Sequence, residues 1–381
     1  MDNMKKVVIV GPAHPFRGGI AAFTESLATA FIEAGYDVEV FTFTLQYPDF
    51  LFPGKTQFSD AEAPVGYKIT RILNSINPFT WLRLGWKIKK MRPEILIIKF
   101  WIPFMGPSLG TVGRIVKRNK YTKVIANADN VVPHEHSVSD RPLIQYFVNS
   151  VDGFLVMSRS VMEDLASFNI YKPRRFSPHP IYDRYGALIP KQDAIKLLGL
   201  DPNYRYMMFF GFIREYKGLD LLIKAAADPA VRSLPLKFIV AGEFYSDSKP
   251  VFQLVDEYKV KDQFIFINNF IPDNEVYKYF CAVDAVVQPY KTATQSGVTQ
   301  IAYHFNKPMI ITRVGGLQEF VPDGKVGYVV DPYPDAIANA ISKFYLGNKE
   351  EEFVVNTINE KKRFTWSVFV KEIETLISEC K

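Results

Sequence analysis

The segment at 209–227, FFGFIREYKGLDLLIKAAA, places two cations in a short loop between an apolar run and an apolar helical pattern. Arg214 and Lys217 stand three positions apart there, after a run that ends at Gly211. A guanidinium binds a diphosphate as a two-pronged donor and an ammonium adds a point charge, so the pair suits a diphosphate ligand. A solvated surface loop with two cations has the same pattern, and both interpretations stay open.

A second anion site is predicted in the segment 291–308, KTATQSGVTQIAYHFNKP. Apolar residues recur at helical spacing from Val298, and Ser296 and Gly297 stand where that helix would begin. The first amides of a helix have no intrahelical partner and favour an anion, so a phosphate could bind at this start. An ordinary α/β turn would explain the same residues.

Two pairs of adjacent glycines mark further turns between a strand and a helix. Gly18 and Gly19 lie in GPAHPFRGGIAAFTESLATAF at 11–31, and a second pair precedes Glu319 in RVGGLQEFV at 313–321. Adjacent glycines let the backbone approach a ligand closely. The first segment is not G-x-G-x-x-G, so a nicotinamide-type dinucleotide receives little support.

The segment 127–137, NADNVVPHEHS, gathers polar residues directly after an apolar run. Asp129, His134 and Glu135 could act as general bases or bind the hydroxyls of a polyol. A metal is the weakest interpretation, because the residues are contiguous in one loop and no second cluster completes a ligand shell. A purely structural loop also remains possible.

The elements that would position these residues follow from short apolar runs, each succeeded by a helical pattern. The runs are KVVIVG, YDVEVFTF, EILIIKFW, KVIANA and DGFLVMS in the first half, and RYMMFFG, KFIVAG, FIFINNF, AVVQPY, PMIITR and VGYVV in the second. Such runs predict buried parallel strands in βα units, in sufficient number for two sheets. We therefore predict two doubly wound, Rossmann-like α/β domains that face each other across a cleft.

A boundary between the two domains is predicted near 179–191, HPIYDRYGALIPK, which is rich in proline, glycine and charge. We expect a first domain at 1–185 and a second at 186–364. The amphipathic pattern at 365–381 predicts a helix that returns to the first domain.

Composition limits the cellular context. The formal charge of +6 is modest for 381 residues and gives no reason to expect nucleic acid as a partner. Cys281 and Cys380 form no disulfide framework or zinc spacing, in agreement with a reducing compartment. No segment has the 18 uninterrupted apolar residues typical of a spanning helix, so we expect a soluble, cytoplasmic protein.

Two basic stretches suggest contact with a membrane surface. WLRLGWKIKKMR at 81–92 places Trp81, Leu84 and Ile88 on one helical face with cations around them, and RIVKRNKYTK follows at 114–123. Basic amphipathic helices attract anionic headgroups. A helix with a core-facing apolar side and solvated lysines is the competing interpretation.

Taken in order, these segments resemble the retaining glycosyltransferases of the GT-B fold, family 4. The resemblance covers nearly the whole chain and includes the N-terminal glycine pair, the G-x-x-R-x-x-K-G loop, the AVDAVVQPY strand and the GG-x-x-E block. It implies a UDP- or GDP-type nucleotide-sugar donor held mainly by the second domain, a glycan or lipid-linked acceptor, and hexosyl transfer that retains configuration. It also implies no metal and no cofactor.

Matched position by position, the resemblance assigns donor contacts to Gly18, Gly19, Arg214, Lys217, Ser296, Gly297, Val298 and Glu319. It places Asp129 where family members often carry a histidine. Glu319 would lie near the nucleoside, and the other donor residues near the diphosphate.

The chain departs from the family at the sugar and ribose contacts. Most members carry two glutamates eight positions apart, and Ala293 and Ile301 stand at those positions here. Phe212 stands where the usual arginine is found, with Arg214 shifted by two. We expect Gln300, or the glutamine at 295, to serve sugar or ribose hydroxyls instead.

Two other functions stay open at this stage. The missing glutamates and histidine favour a catalytically inactive GT-B protein that acts as a binding or assembly partner. A nucleotide-sugar epimerase of similar architecture is the second alternative.

Overall fold

The computed structural model describes residues 4–48, 57–58, 62–132, 140–168, 171–181, 185–245, 247–293 and 296–380. The chain divides into two compact units. The first consists of Met1–Pro178 together with Trp366–Lys381, and the second is His179–Thr365.

The first unit is built on a seven-stranded parallel sheet, as far as its described residues show, in the order β3-β2-β1-β4-β5-β6-β7. Its strands are β1 (Lys6–Val10), β2 (Asp37–Leu45), β3 (Lys68–Asn74), β4 (Ile95–Phe100), β5 (Lys123–Ala128), β6 (Gly153–Val156) and β7 (Arg174–Phe176). Its helices are α1 (Gly19–Glu33), α2 (Pro78–Met91), α3 (Gly106–Lys117), α4 (Asp140–Val148), α5 (Arg159–Ala166) and α14 (Trp366–Glu379).

The second unit contains a six-stranded parallel sheet in its described residues, in the order β10-β9-β8-β11-β12-β13. Its strands are β8 (Arg205–Phe210), β9 (Leu236–Ala241), β10 (Phe264–Ile267), β11 (Ala285–Gln288), β12 (Met309–Thr312) and β13 (Gly327–Val330). Its helices are α6 (Lys191–Leu197), α7 (Leu219–Ala226), α8 (Pro229–Arg232), α9 (Lys249–Glu257), α10 (Val276–Ala282), α11 (Gly297–His304), α12 (Pro334–Leu346) and α13 (Glu350–Glu360).

Both sheets are doubly wound, which confirms the predicted fold class. All eleven apolar runs form strands, and every strand pair recorded in register is parallel. Two strands were not predicted, β3 and β7, which lie at the two edges of the first sheet. Edge strands are covered less completely, so their sequences KITRILN and RRF lack the continuous apolar pattern of the central strands.

Each sheet reverses its strand order at one point. The reversal lies between β1 and β4 in the first sheet and between β8 and β11 in the second. Ligands of open α/β sheets bind outside the carboxyl ends of the strands at such a point. The loops after β1, β8 and β11, and the end of β4, are therefore where this fold can place a site.

The C-terminal helix α14 belongs to the core of the first unit. It packs against α1, β6 and β7, and the ring of Phe369 lies 5.5 Å from that of Phe23 in α1. Arg175 of β7 forms ion pairs with Glu372 and Glu379, both at 2.6 Å.

No helix in the described parts of the chain is long and apolar enough to cross a membrane.

Candidate functional site

The loop that follows β8 is held tightly against the end of β11. Gly218 adopts φ +69°, and a Cβ there would lie 1.9 Å from the carbonyl oxygen of Pro289. The backbone amide of Lys291 donates to the carbonyl of Tyr216 at 2.7 Å. Since a side chain at 218 would collide with backbone, only glycine lets the loop come this close. The two loops at the strand-order reversal thus form one surface.

Lys217 is buried in this surface with 9% of its area exposed. Its Nζ lies 3.0 Å from the position that a Cβ would take on Gly211 and 5.7 Å from the centre of the Tyr290 ring. Within the described residues, no carboxylate forms an ion pair with it and no side chain accepts its hydrogen bonds. Burial, and to a smaller extent the charge of Arg214, lowers the pKa of Lys217 to about 8. A desolvated cation with no counter-charge is costly, and an anionic ligand would neutralise it.

Arg214 lies near Lys217 but on the exposed side of the loop. Its guanidinium carbon is 3.9 Å from the centre of the Tyr245 ring, which supports the cation through a cation–π contact. The planar fork remains accessible to solvent, and an accessible guanidinium can bind a phosphate through two hydrogen bonds.

The start of α11 faces the same surface. Ser296 is the N-cap residue, but its hydroxyl bonds to the Tyr290 hydroxyl at 3.1 Å and does not cap the helix. Gly297 has open space where a Cβ would be, and Val298 Cγ2 lies 3.8 Å from the Cβ position of Gly211. The first amides of α11 are therefore uncapped by a side chain and lie beside the buried ammonium.

Tyr290 connects these parts, and sequence reasoning missed it. Its ring contacts the Tyr216 ring at 6.2 Å, its hydroxyl meets Ser296, and its carbonyl accepts from the Thr312 hydroxyl at 2.5 Å. Burial raises the pKa of Tyr290, so the phenol stays protonated and can donate. A tyrosine directly after a buried strand was the available signal.

Among the described residues, neither Gln300 nor Glu319 has a recorded contact with Arg214 or Lys217. Gln300 is 4% exposed within α11, and its Oε1 has no hydrogen-bond partner among the described residues. Glu319 is half-buried in the turn Leu317–Glu319, and its carbonyl accepts from Arg363 Nη2 at 3.0 Å. The glutamine at 295 lies outside the described residues.

A cavity opens beside Gly211, at the carboxyl ends of β8 and β9. Its walls are mainly apolar, with carboxylates at two positions, and it is lined by Tyr185, Phe210, Gly211, Phe212, Ala241, Gly242, Glu243, Phe270, Ile271, Asp273, Val276 and Ile301. Ile301, which replaces a family glutamate, is part of this wall, and Ala293 packs against the core of the unit. Glu243 and Phe270 are lining residues that sequence reasoning missed, because the segments that carry them match no motif.

In the first unit, the predicted Asp129 lies directly after β5 and is anchored by Lys99. Lys99 Nζ is 2.6 Å from Asp129 Oδ1 and 2.7 Å from Asn127 Oδ1. Burial raises the pKa of Asp129, and the ammonium acts against that rise. Lys99 was not predicted, although a lysine within the apolar run EILIIKFW was a readable signal. His134 and Glu135 lie outside the described residues.

The predicted glycine pair begins α1 in the first unit. Gly18 adopts φ +111°, a conformation that favours glycine, and neither Gly18 nor Gly19 has an atom within 4 Å of its Cβ position. The described residues contain no group of three or more His, Cys, Asp and Glu side chains placed to hold a metal ion.

The basic helix α2 differs from its predicted orientation. Leu84 and Ile88 are fully buried in the core of the first unit, so the apolar face predicted for membrane contact is not available. A different set is exposed: Phe79 at 81%, Leu82 at 45% and Trp86 at 48%. For Leu84 and Ile88 the competing interpretation, an apolar side that faces the core, is therefore the correct one.

Comparison with known proteins assigns the second unit. Residues 190–363 match the family model described as glycosyl transferases group 1. The chain has the GT-B fold, and its residues 190–363 are similar to group 1 glycosyl transferases. This match spans the loop of Lys217, the start of α11 and every lining residue of the cavity except Tyr185.

Individual relatives agree with this assignment. A D-inositol 3-phosphate glycosyltransferase from Corynebacterium urealyticum is 23% identical over 257 residues, which span 64% of this chain and 60% of that protein. A glycosyltransferase from Rickettsia africae superposes with a TM-score of 0.72 at 15% identity, covering 99% of both chains. HepE from Anabaena, solved with UDP, gives 0.70 at 15% identity, covering 98% of this chain and 100% of that one. At these identities the structures establish the GT-B fold.

The buried charge of Lys217 predicts a stability penalty in the unliganded protein. Its pKa is about 8 when folded and near 10.5 when unfolded, so the penalty is complete below pH 8 and disappears as pH rises to 10.5. Lys217→Met should therefore raise the free energy of unfolding at pH 7 by up to about 3 kcal/mol. Urea unfolding at pH 7 and pH 10 should show the gain shrinking at the higher pH.

Lys325→Met is the matched control, because Lys325 is exposed in the same unit and its loss should change stability by less than about 0.5 kcal/mol. A Lys217→Met protein that is less stable than the wild type at pH 7 would contradict the unneutralised charge.

Proposed function

We propose that the protein transfers a hexosyl group from a nucleotide-diphosphate-sugar to a glycan or lipid-linked acceptor, with retention of configuration and without a metal ion. The observation that carries the proposal is the buried, unneutralised ammonium of Lys217 at the strand-order reversal of the second sheet. The group 1 family match and the uridine nucleotides named for HepE favour UDP over GDP as the carrier.

The diphosphate would bind between the loop after β8 and the start of α11. Lys217 would contact it from the buried side, Arg214 from the exposed side, and the first amides of α11 with Ser296, Gly297 and Val298 would donate hydrogen bonds. The family resemblance assigns donor contacts to Gly18 and Gly19 of the first unit as well.

The cavity beside Gly211 fits the nucleoside. Phe212 and Phe270 are 42% and 62% exposed and offer aromatic surface for a base. Ile301 cannot bind ribose hydroxyls, so that role would fall to the carboxylate of Glu243, with Glu319 and Gln300 as further candidates. The site would thereby keep diphosphate recognition while recognising the ribose with different residues.

The transfer step follows from where charge develops. The bond between the anomeric carbon and the diphosphate oxygen breaks, and the acceptor hydroxyl oxygen forms the new bond to that carbon. Negative charge grows on the departing diphosphate, where Lys217, Arg214 and the helix amides would stabilise it. The hydroxyl proton would pass to that diphosphate, and Asp129 would supply negative charge beside the positive anomeric centre. His134 and Glu135 are further candidates for this role.

One observation favours the alternative of a catalytically inactive binding partner. Ala293 packs against the core cluster and Ile301 is 6% exposed, so neither family glutamate position keeps a polar group. Binding of UDP-sugar with no transfer to any acceptor and no slow hydrolysis would select this alternative. An epimerase would instead convert the donor sugar without releasing nucleotide.

We also propose that the first unit touches an anionic membrane surface through α2. Phe79, Leu82 and Trp86 recur at helical spacing on the exposed side, and Arg83 and Lys90 are exposed near them. The second basic stretch contributes less, because Arg114 donates to the Tyr146 carbonyl and Lys117 pairs with Asp152. The two unpaired, buried cysteines suit a cytoplasmic location at the inner face of the membrane.

The diphosphate site is tested with two single substitutions. Lys217→Ala and Arg214→Ala should each weaken UDP binding by about tenfold to a hundredfold, because each removes a charge-assisted contact worth about 1.5–3 kcal/mol. Uridine lacks the diphosphate, so its affinity should change less than twofold. Calorimetric titration of each variant with UDP and uridine measures both, with Lys325→Ala as the control. Equal losses for UDP and uridine would refute the assignment.

The membrane surface is tested by sedimentation with phosphatidylglycerol and phosphatidylcholine vesicles at low salt. The wild type should sediment with the anionic vesicles only, since exposed apolar and basic residues act together. Replacing Phe79, Leu82 and Trp86 by serine should reduce the bound fraction at least severalfold. Leu346→Ser, at an exposed position of the second unit, should leave binding unchanged. Equal sedimentation with both lipids would contradict the proposed contact between α2 and an anionic membrane surface.

A further inference from the structure

Lys99 is an ionisable residue inside an otherwise apolar strand. All six residues of β4, ILIIKF, are buried, and the Lys99 side chain keeps 2% exposure. It stands at the carboxyl end of the strand that borders the order reversal of the first sheet. The proposed transfer step leaves this lysine without a role.

Two hydrogen bonds and close packing hold the Lys99 side chain in place. Its Nζ binds Asp129 Oδ1 at 2.6 Å and Asn127 Oδ1 at 2.7 Å, and lies 3.7 Å from the centre of the Phe23 ring. Gly11 at the end of β1 leaves room for the stem, because a Cβ there would be 2.8 Å from Lys99 Cβ. The ammonium therefore has one position, and it fixes one carboxylate oxygen.

Within the described part of the chain, no other charge is placed to take over this role. Among the described residues, Asp129 is the one charged group that acts on Lys99, and Lys99 the one that acts on Asp129. The neighbouring β1, β5 and α1 contribute Gly11, Asn127 and Phe23, all neutral. Glu25 of α1 accepts from the His14 amide at 2.7 Å. The ionisation of Asp129 therefore depends on Lys99.

A buried ion pair adds little net free energy to folding, because removing both charges from water costs about as much as their attraction returns. Replacing such a pair by apolar residues of similar volume is often neutral or stabilising, so a purely structural strand would do better with leucine or methionine. Asp129 also keeps 19% of its side chain exposed, although Lys99 is enclosed. The Asp129 carboxylate is thus partly exposed at the carboxyl edge of the sheet, whereas the Lys99 ammonium that neutralises it is buried.

We propose that Lys99 is a positioning residue that keeps Asp129 ionised and oriented at the carboxyl edge of the first sheet. The proposal rests on the transfer function given above, in which Asp129 supplies negative charge near the anomeric carbon. Without the ammonium, the pKa of a carboxyl group in this buried environment would rise further, and the group would take up a proton at a higher pH. Asp129 would then lose the charge that stabilises the transition state, while donor binding in the second unit would continue.

Three variants test this role: Lys99→Met, Asp129→Asn and the double variant. Lys99→Met should lower kcat at acidic pH by up to about a hundredfold, as removal of an electrostatic contact does, and the deficit should shrink as the pH is raised and Asp129 ionises. The KM for donor should stay within twofold. Asp129→Asn should show a similar loss that does not change with pH.

The double variant separates positioning from a direct role. If Lys99 acts only through Asp129, the double variant should lose no more activity than Asp129→Asn alone. It also removes both charges, so it should fold even if Lys99→Met is destabilised by the uncompensated carboxylate. Additive losses, or a Lys99→Met deficit that is independent of pH, would overturn the proposal.

A measurement that needs no activity completes the test. The carboxyl carbon resonance of Asp129, labelled with carbon-13 and assigned by its absence in Asp129→Asn, should titrate at a higher pH in Lys99→Met than in the wild type, because the Lys99 ammonium lowers the pKa of Asp129. Should the wild type transfer no sugar, the proposed function fails, and this titration alone decides whether Lys99 keeps Asp129 ionised. Identical titrations in both proteins would refute the positioning role.

Discussion

The ammonium of Lys217 is the group on which the second unit is organised. It is almost fully buried and has no counter-charge among the described residues, which a fold selected for stability alone would avoid. The glycines at 211 and 218 allow the backbone to pass close to it and to Pro289. Tyr290 and the start of α11 complete the enclosure. In the proposed function, binding of a diphosphate would offset the free energy that burying this charge costs.

Each sheet has a buried lysine beside its strand-order reversal, on β4 in the first sheet and after β8 in the second. Lys99 lies beside the order reversal of the first sheet and is neutralised within the protein by Asp129. Lys217 lies beside the reversal of the second sheet, and no described residue neutralises it. In the proposed function Lys99 would keep a protein carboxylate ionised, and Lys217 would bind the diphosphate of the donor. Both follow from one property of open α/β sheets, the crevice at the strand-order reversal.

The sequence predicted the central strands and the loop cations because both have local signals. Continuous apolar runs identify strands covered on both faces, whereas β3 and β7 at the sheet edges carry mixed patterns and were missed. The spacing of Arg214 and Lys217 showed a basic loop, but their different burial depends on Pro289 and Tyr290, which are more than 70 residues away. The Lys99–Asp129 pair and the face of α2 that reaches solvent likewise depend on tertiary packing.

Proton uptake on UDP binding measures the state of Lys217 most directly. At pH 8.5 an ammonium with a pKa of about 8 is mostly deprotonated in the free protein, and a bound diphosphate raises that pKa. Calorimetry in two buffers of different ionisation enthalpy should therefore show uptake of roughly 0.7 proton per UDP at pH 8.5 and almost none at pH 6.5. Lys217→Met should show no uptake at either pH. Equal uptake in the wild type and this variant, or none in the wild type at pH 8.5, would contradict the proposal that a bound diphosphate neutralises the buried ammonium of Lys217.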